Sequence, residues 1–146
     1  MQGAEMLQTL ERHHQTIRAG IAEIQRHCEE GCRDMAGLSR ARLDLTSASR
    51  RRSKFISDVV SPFLLEGADE QSRLSLADFL VAFRARRLLS DEHIATWSDE
   101  HIRSDPQGYC IAAKAIWAMM EDQIDREARI LGSQLGRHME TVAPAR

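Results

Sequence analysis

The sequence predicts an all-α protein, built as an antiparallel up-down-up-down four-helix bundle. Three observations carry this. Apolar residues recur at helical spacing, most clearly at Leu7, Leu10, His14, Ile17, Ile21, Ile24 and Cys28, whose alternating steps of three and four draw one inward seam. Only eight Gly and three Pro interrupt 146 residues, which leaves little chain for loops. Aromatic residues make up 5%, too few for a β-sandwich or barrel core. A chain of this length, 42% apolar, suits one domain around one core.

The first helix is expected over residues 4–30, where Gly31 supplies a common stop. A short turn runs to Asp34. The second helix is expected over 36–65. Its face runs through Leu38, Leu45, Ala48, Phe55, Ile56, Val59, Val60, Phe63 and Leu64, with Arg52 inside it and Pro62 in its last turn. Glu66, Gly67 and Ala68 turn the chain. The third helix starts at Asp69, or at Ser75 with Asp78 at capping-box spacing. Its face is Leu76, Phe79, Leu80, Phe83, Leu89 or Ser90, Ile94 and Trp97, and a break is expected near Ser90 to Glu92. The fourth helix has the clearest start: Asp105 can cap and Pro106 fits the first helical position. Its face runs Tyr109, Ala112, Ile116, Met119, Met120, Gln123, Glu127, Ile130 and Gln134, and Gly136 or His138 should end it. The expected domain is 1–140, with 141–146 a loose tail.

Charge and composition narrow the function. A net charge of −2 does not by itself call for a polyanion. The basic runs Arg50-Arg51-Arg52-Ser53-Lys54 and Arg84-Ala85-Arg86-Arg87 read as a solvated face rather than a nucleic-acid surface, because no aromatics interleave them. No apolar stretch is long enough for a membrane span, and the N-terminus lacks a secretory pattern, so the expected compartment is the cytoplasm. Three Cys is an odd number and fits free thiols. Cys28 and Cys32, just after His27, could form a redox pair or half a metal site. The preferred reading is a small core residue followed by a loop residue, because no second Cys/His pair at zinc spacing exists. Cys110 is given no part in it.

His14 is the misfit of the seam, since a buried imidazole needs hydrogen-bond partners. His14, Ile17, Ile21 and Ile24 resemble the H-x2-[apolar]-x3-[apolar]-x2-[apolar] pattern in the first helix of hemerythrin-like, HHE-type cation-binding bundles. Ser61-Pro62-Phe63-Leu64-Leu65 is similar to the Tyr-Pro or Phe-Pro end of that family's second helix. Gln123-Ile124-Asp125-Arg126-Glu127 stands where its fourth helix carries H-x3-E. The resemblance spans about residues 7–135.

The resemblance implies a non-haem di-iron centre held by His and carboxylates. Helix two should then offer H-x3-E, but those positions hold Arg52 and Ile56. Helix four keeps Glu127 and has Gln123 in place of His. Arg52 cannot ligate a cation and would repel one. The expectation is therefore an incomplete or absent metal site, no cofactor, and a core polar network of His14, Arg52, Gln123 and Glu127. The chain then reads as a regulatory, sensing or protein-interaction module and not an enzyme. Its partner would be another protein, a second copy of itself included. Two alternatives stay open. One is a non-haem iron site on His14, His93, His101 and Glu127. The other is an anion or small-ligand site built on Arg52 and its neighbours.

Overall fold

The computed structural model describes the backbone of residues 2–142 and the side chains of residues 2–138. It is all-α. Its elements are α1 (Gly3–Glu29), α2 (Met35–Phe55), a π-helical turn (Ile56–Val60), α3 (Ser61–Leu65), α4 (Glu70–Thr96), α5 (Asp99–Ser104) and α6 (Pro106–Val142). No strand is present among the described residues.

Four of the helix starts have a local cause. Asp34, Asp69, Ser98 and Asp105 each accept a hydrogen bond from the backbone N–H three residues on, satisfying donors that a helix leaves bare. Two of the stops are glycines: Gly31 and Gly67 adopt φ of 78° and 72°, a region open to Gly without a Cβ clash. Packing then pairs the long helices. α1 lies against α2 and α6, and α6 also meets α4. The cross-contacts run in opposite senses. Leu7 approaches Gly132 while His14 meets Glu127, and Arg18 reaches Asp125, so α1 and α6 are antiparallel.

Several boundaries differ from the sequence expectations. The expected second helix is one helical run with a π turn inside it. Pro62 cannot donate to the carbonyl of Asp58, and the wider turn just before it sends the Ser61 N–H to the Ile56 carbonyl instead. The third helix starts at the Asp69 cap, not at Ser75. It breaks at Trp97 and Ser98, not at Ser90–Glu92, because Ser98 caps a new short helix. α6 passes through Gly136, whose φ is not in the left-handed region, and reaches Val142, two residues into the expected tail. The remainder of that tail, 143–146, lies outside the described residues.

The apolar core has two parts. One gathers Met6, Leu10, Ile56, Val60, Leu64, Leu76, Phe79, Phe83, Leu131 and Leu135. The other gathers Ile17, Ile21, Ile24, Leu38, Leu45, Ile102, Tyr109, Trp117 and Ile124 among others. On α1 the divide falls between Leu10 and Ile17. On the second helical run it falls between Ala48 and Ile56, and on α6 between Ile124 and Leu131. His14, Arg52 and Glu127 stand in those three gaps. No described helix is long and apolar enough to cross a membrane.

Candidate functional site

A buried polar layer fills the divide between the two apolar clusters. Glu127 of α6 is fully buried and carries it. Its Oε1 lies 2.8 Å from His14 Nε2. Its Oε2 accepts from the Arg52 guanidinium through Nη1, and from Gln123 Nε2 at 2.8 Å. With Arg52 on the other oxygen Glu127 acts as an acceptor, so the hydrogen of the His14 contact sits on Nε2. Arg52 also donates to Ser49 Oγ at 3.1 Å, and its guanidinium stands 5.8 Å from the centroid of the Phe83 ring. The helical register explains the gathering. His14 is on the α1 seam, Gln123 and Glu127 share one face four residues apart, and Arg52 projects from the face of α2.

Arg86 of α4 extends the layer. It donates to Gln123 Oε1 at 2.7 Å and to Asp122 Oδ2 at 2.6 Å. Sequence reasoning left it within a solvated basic run. The signal that could have found it is spacing, since Arg86 lies three residues after Phe83, on the inward side of α4.

The other two histidines of the alternative iron site lie elsewhere. His93 is half-buried and stacks on Tyr109, with ring centroids 5.8 Å apart. Burial, with the Arg42 guanidinium as a second cause, holds its pKa down to about 4. His101 is exposed; it stacks on Trp97 at 4.0 Å and its Nδ1 donates to the Thr96 carbonyl. The set His14, His93, His101 and Glu127 does not converge. Among the described residues, the one group of three or more His, Cys, Asp or Glu with ligand atoms mutually close is a set of cysteines. The polar layer does not fit a di-iron centre either. Both Glu127 oxygens are taken, Ile56 offers no donor atom, and the guanidinium of Arg52 is a permanent cation seated on the carboxylate.

The cysteines correct the expectation of three free thiols. Cys28 is disulfide-bonded to Cys110, and Cys32 is free and buried, its Sγ 3.6 Å from that of Cys110. Cys110 takes part because α6 starts beside the end of α1. Antiparallel pairing thus makes neighbours of residues 82 apart in sequence, a relation that spacing alone does not reveal.

Beside the polar layer, a cleft opens among α2, α4 and α6. Beyond Phe83, α4 fully buries none of its side chains, and the gap it leaves is a shallow cleft with a cavity volume of about 80 Å³. Arg42, Arg50, Arg52, Arg86 and Arg87 line it against one carboxylate, Asp91, over a floor that includes Trp117, Met119 and Met120. Arg42 lies over the Tyr109 ring, 5.2 Å from its centroid, and its Nη2 is buried without a hydrogen-bond partner.

No family model, curated protein or solved structure matches this chain. Fold and site define its class: an all-α protein whose core is divided by a buried Arg–Glu–His–Gln layer, with an arginine-lined cleft beside it.

Proposed function

We propose that the chain is an up-down-up-down four-helix bundle of hemerythrin-like kind in which an internal ion pair stands in place of the metal. It acts as a regulatory or protein-interaction module, not as an enzyme. One observation carries the reading: the one buried carboxylate of α6 among the described residues, Glu127, is neutralised by Arg52 and by His14 and Gln123 hydrogen bonds. A carboxylate held this way has no oxygen free for a cation. The interaction role draws support from α4, where Leu74, Val81 and Leu88 repeat every seven residues and are 63%, 67% and 65% exposed. The reading keeps the chain in the cytoplasm, where the Cys28–Cys110 bond would be reversible.

Metal content and the visible absorption spectrum test it, on protein purified without chelators. The expected result is far less than one iron per chain and no visible band. Stoichiometric iron that is lost in Glu127→Gln would overturn the reading.

A second reading is favoured by the cleft. Arg42, Arg52 and Arg86 are paired with Asp99, Glu127 and Asp122, but Arg50 and Arg87, above an apolar floor, suit a small amphipathic anion, with Arg42 Nη2 as an open donor. In this reading, the module senses such a ligand.

A further inference from the structure

Cys28 ends α1, Cys32 sits in the following turn, and Cys110 lies in the first turns of α6. Their three sulfurs are all within 4.8 Å of one another. We propose that, once the disulfide is reduced, these three residues form a three-thiolate site for a thiophilic cation of the zinc class.

A disulfide needs two sulfurs, and the third one is what the turn goes out of its way to supply. Cys32 has φ 55°, left-handed backbone that a non-glycine residue rarely adopts. Such a residue is strained and persists where its surroundings hold it. Here the Cys32 N–H donates to the His27 carbonyl at 2.9 Å, and the Gly31 N–H to the Cys28 carbonyl at 3.1 Å. The result is a sulfur facing Cys110 at 3.6 Å. Two thiolates on one tetrahedral zinc, each at about 2.3 Å, stand roughly 3.8 Å apart. The spacing already present is thus close to what the cation requires. Cys28 and Cys110 are only half-buried, which leaves the fourth position of the cation open to water.

The chemistry balances simply. A dithiol reductant gives two electrons and two protons to the Cys28–Cys110 bond and leaves as its own disulfide. The cation then displaces one proton from each of three thiols, and three thiolates with a divalent ion carry a net charge of −1. Exchange with an oxidised dithiol, which takes the two electrons and leaves as its own dithiol, re-forms the Cys28–Cys110 bond, removes two of the three ligands and releases the cation. The site is independent of the Glu127 layer: His14 and Cys28 are fourteen residues apart on one helix, about 21 Å along its axis.

The test is a Co2+ titration of the whole chain under nitrogen. The disulfide is first opened with a phosphine, which takes an oxygen atom from water and does not compete as a thiol. One equivalent of Co2+ should give thiolate-to-cobalt charge-transfer absorption, and one equivalent of Zn2+ should abolish it. The oxidised chain should give no such band. Cys32→Ser retains the disulfide pair, and after reduction it should bind more weakly by more than the ~10–100-fold typical of losing an outer-shell partner. Absence of the band in reduced, helical protein overturns the proposal, and so does equal affinity in Cys32→Ser. If reduction melts the helical circular dichroism, Zn2+ should restore it; failure to restore it also overturns the proposal.

Discussion

Arg52 and Glu127 stand 75 residues apart in sequence and share one hydrogen-bonded ion pair between the two halves of the core. Both are nine-tenths or more buried in their side chains, so neither charge has water to fall back on. Removing one partner leaves the other uncompensated, which costs about 3–5 kcal/mol, whereas replacing both with apolar side chains is often close to neutral. Glu127→Leu and Arg52→Met should each lower the urea midpoint strongly, and the double variant Arg52→Met/Glu127→Leu should recover most of the loss. Four unfolding curves form the cycle. Additive losses would show that the two residues do not act as a pair.

The helices were legible in the sequence because burial has a period. The α1 seam reads directly at Leu10, His14, Ile17, Ile21 and Ile24, all buried, whereas its ends Leu7 and Cys28 are only half-buried and Met6 and His27 take the inward places. The Asp105-Pro106 start of α6 is equally plain, since cap and first residue are local chemistry. What needed three dimensions was not legible. The π turn before Pro62 depends on how a helix absorbs a missing donor. The choice of Asp69 over Ser75 as cap depends on where α4 can begin packing. The cysteine cluster depends on pairing between chain-distant helix ends. The cleft arises because the second half of α4 turns Leu88 and Leu89 outward, while Ser90 and Ile94, of the expected inner face, line the opening without closing it.

His93 sets a pH dependence. Its ordinary pKa of 6.5 applies in the unfolded chain, and about 4 in the fold, where burial and Arg42 disfavour the cation and Tyr109 stacks on the ring. Between those values the unfolded chain binds more protons. Stability is therefore full above about pH 6.5 and declines as pH falls towards 4. His13 is lowered too, by burial first and then by Arg51, His14, Arg52 and Arg12, and acts in the same direction. Urea midpoints at pH 7.5, 6 and 5 (~neutral to mildly acidic) should fall in sequence for the parent chain. His93→Gln should flatten that slope, with His13→Gln as the comparison. An unchanged slope in His93→Gln would show that its ring is solvated.

The cleft makes a ligand prediction. A carboxylate or phosphate joined to an apolar body should protect the fold, because a ligand specific to the native state adds about 2.7 kcal/mol at 100 times its Kd. Inorganic phosphate, lacking the body, should protect less. Arg87 lines the cleft, is exposed, and has no hydrogen bond or ion pair among the described residues. Arg87→Gln should therefore reduce the protection without altering the unliganded melting temperature. A thermal-shift series with medium-chain carboxylates and alkyl phosphates measures both. No shift with any of them, or an undiminished shift in Arg87→Gln, would exclude this cleft as the anion site.

Two glycines should respond in opposite directions to the same substitution. Gly136 lies inside α6 with helical-side φ, and a Cβ there would meet nothing within 4 Å. Alanine should stabilise it by up to about 1 kcal/mol, the difference in helix propensity. Gly67 also has open space around a Cβ, but its φ is 72°. Left-handed backbone costs an L-residue roughly 1–2 kcal/mol, so alanine should destabilise there although it clashes with no neighbour. Urea midpoints of Gly136→Ala and Gly67→Ala separate the two effects, since neither change alters packing. Destabilisation by Gly136→Ala would mean that α6 does end near that residue, as the glycine alone suggests, and that the helix to Val142 is not its resting state.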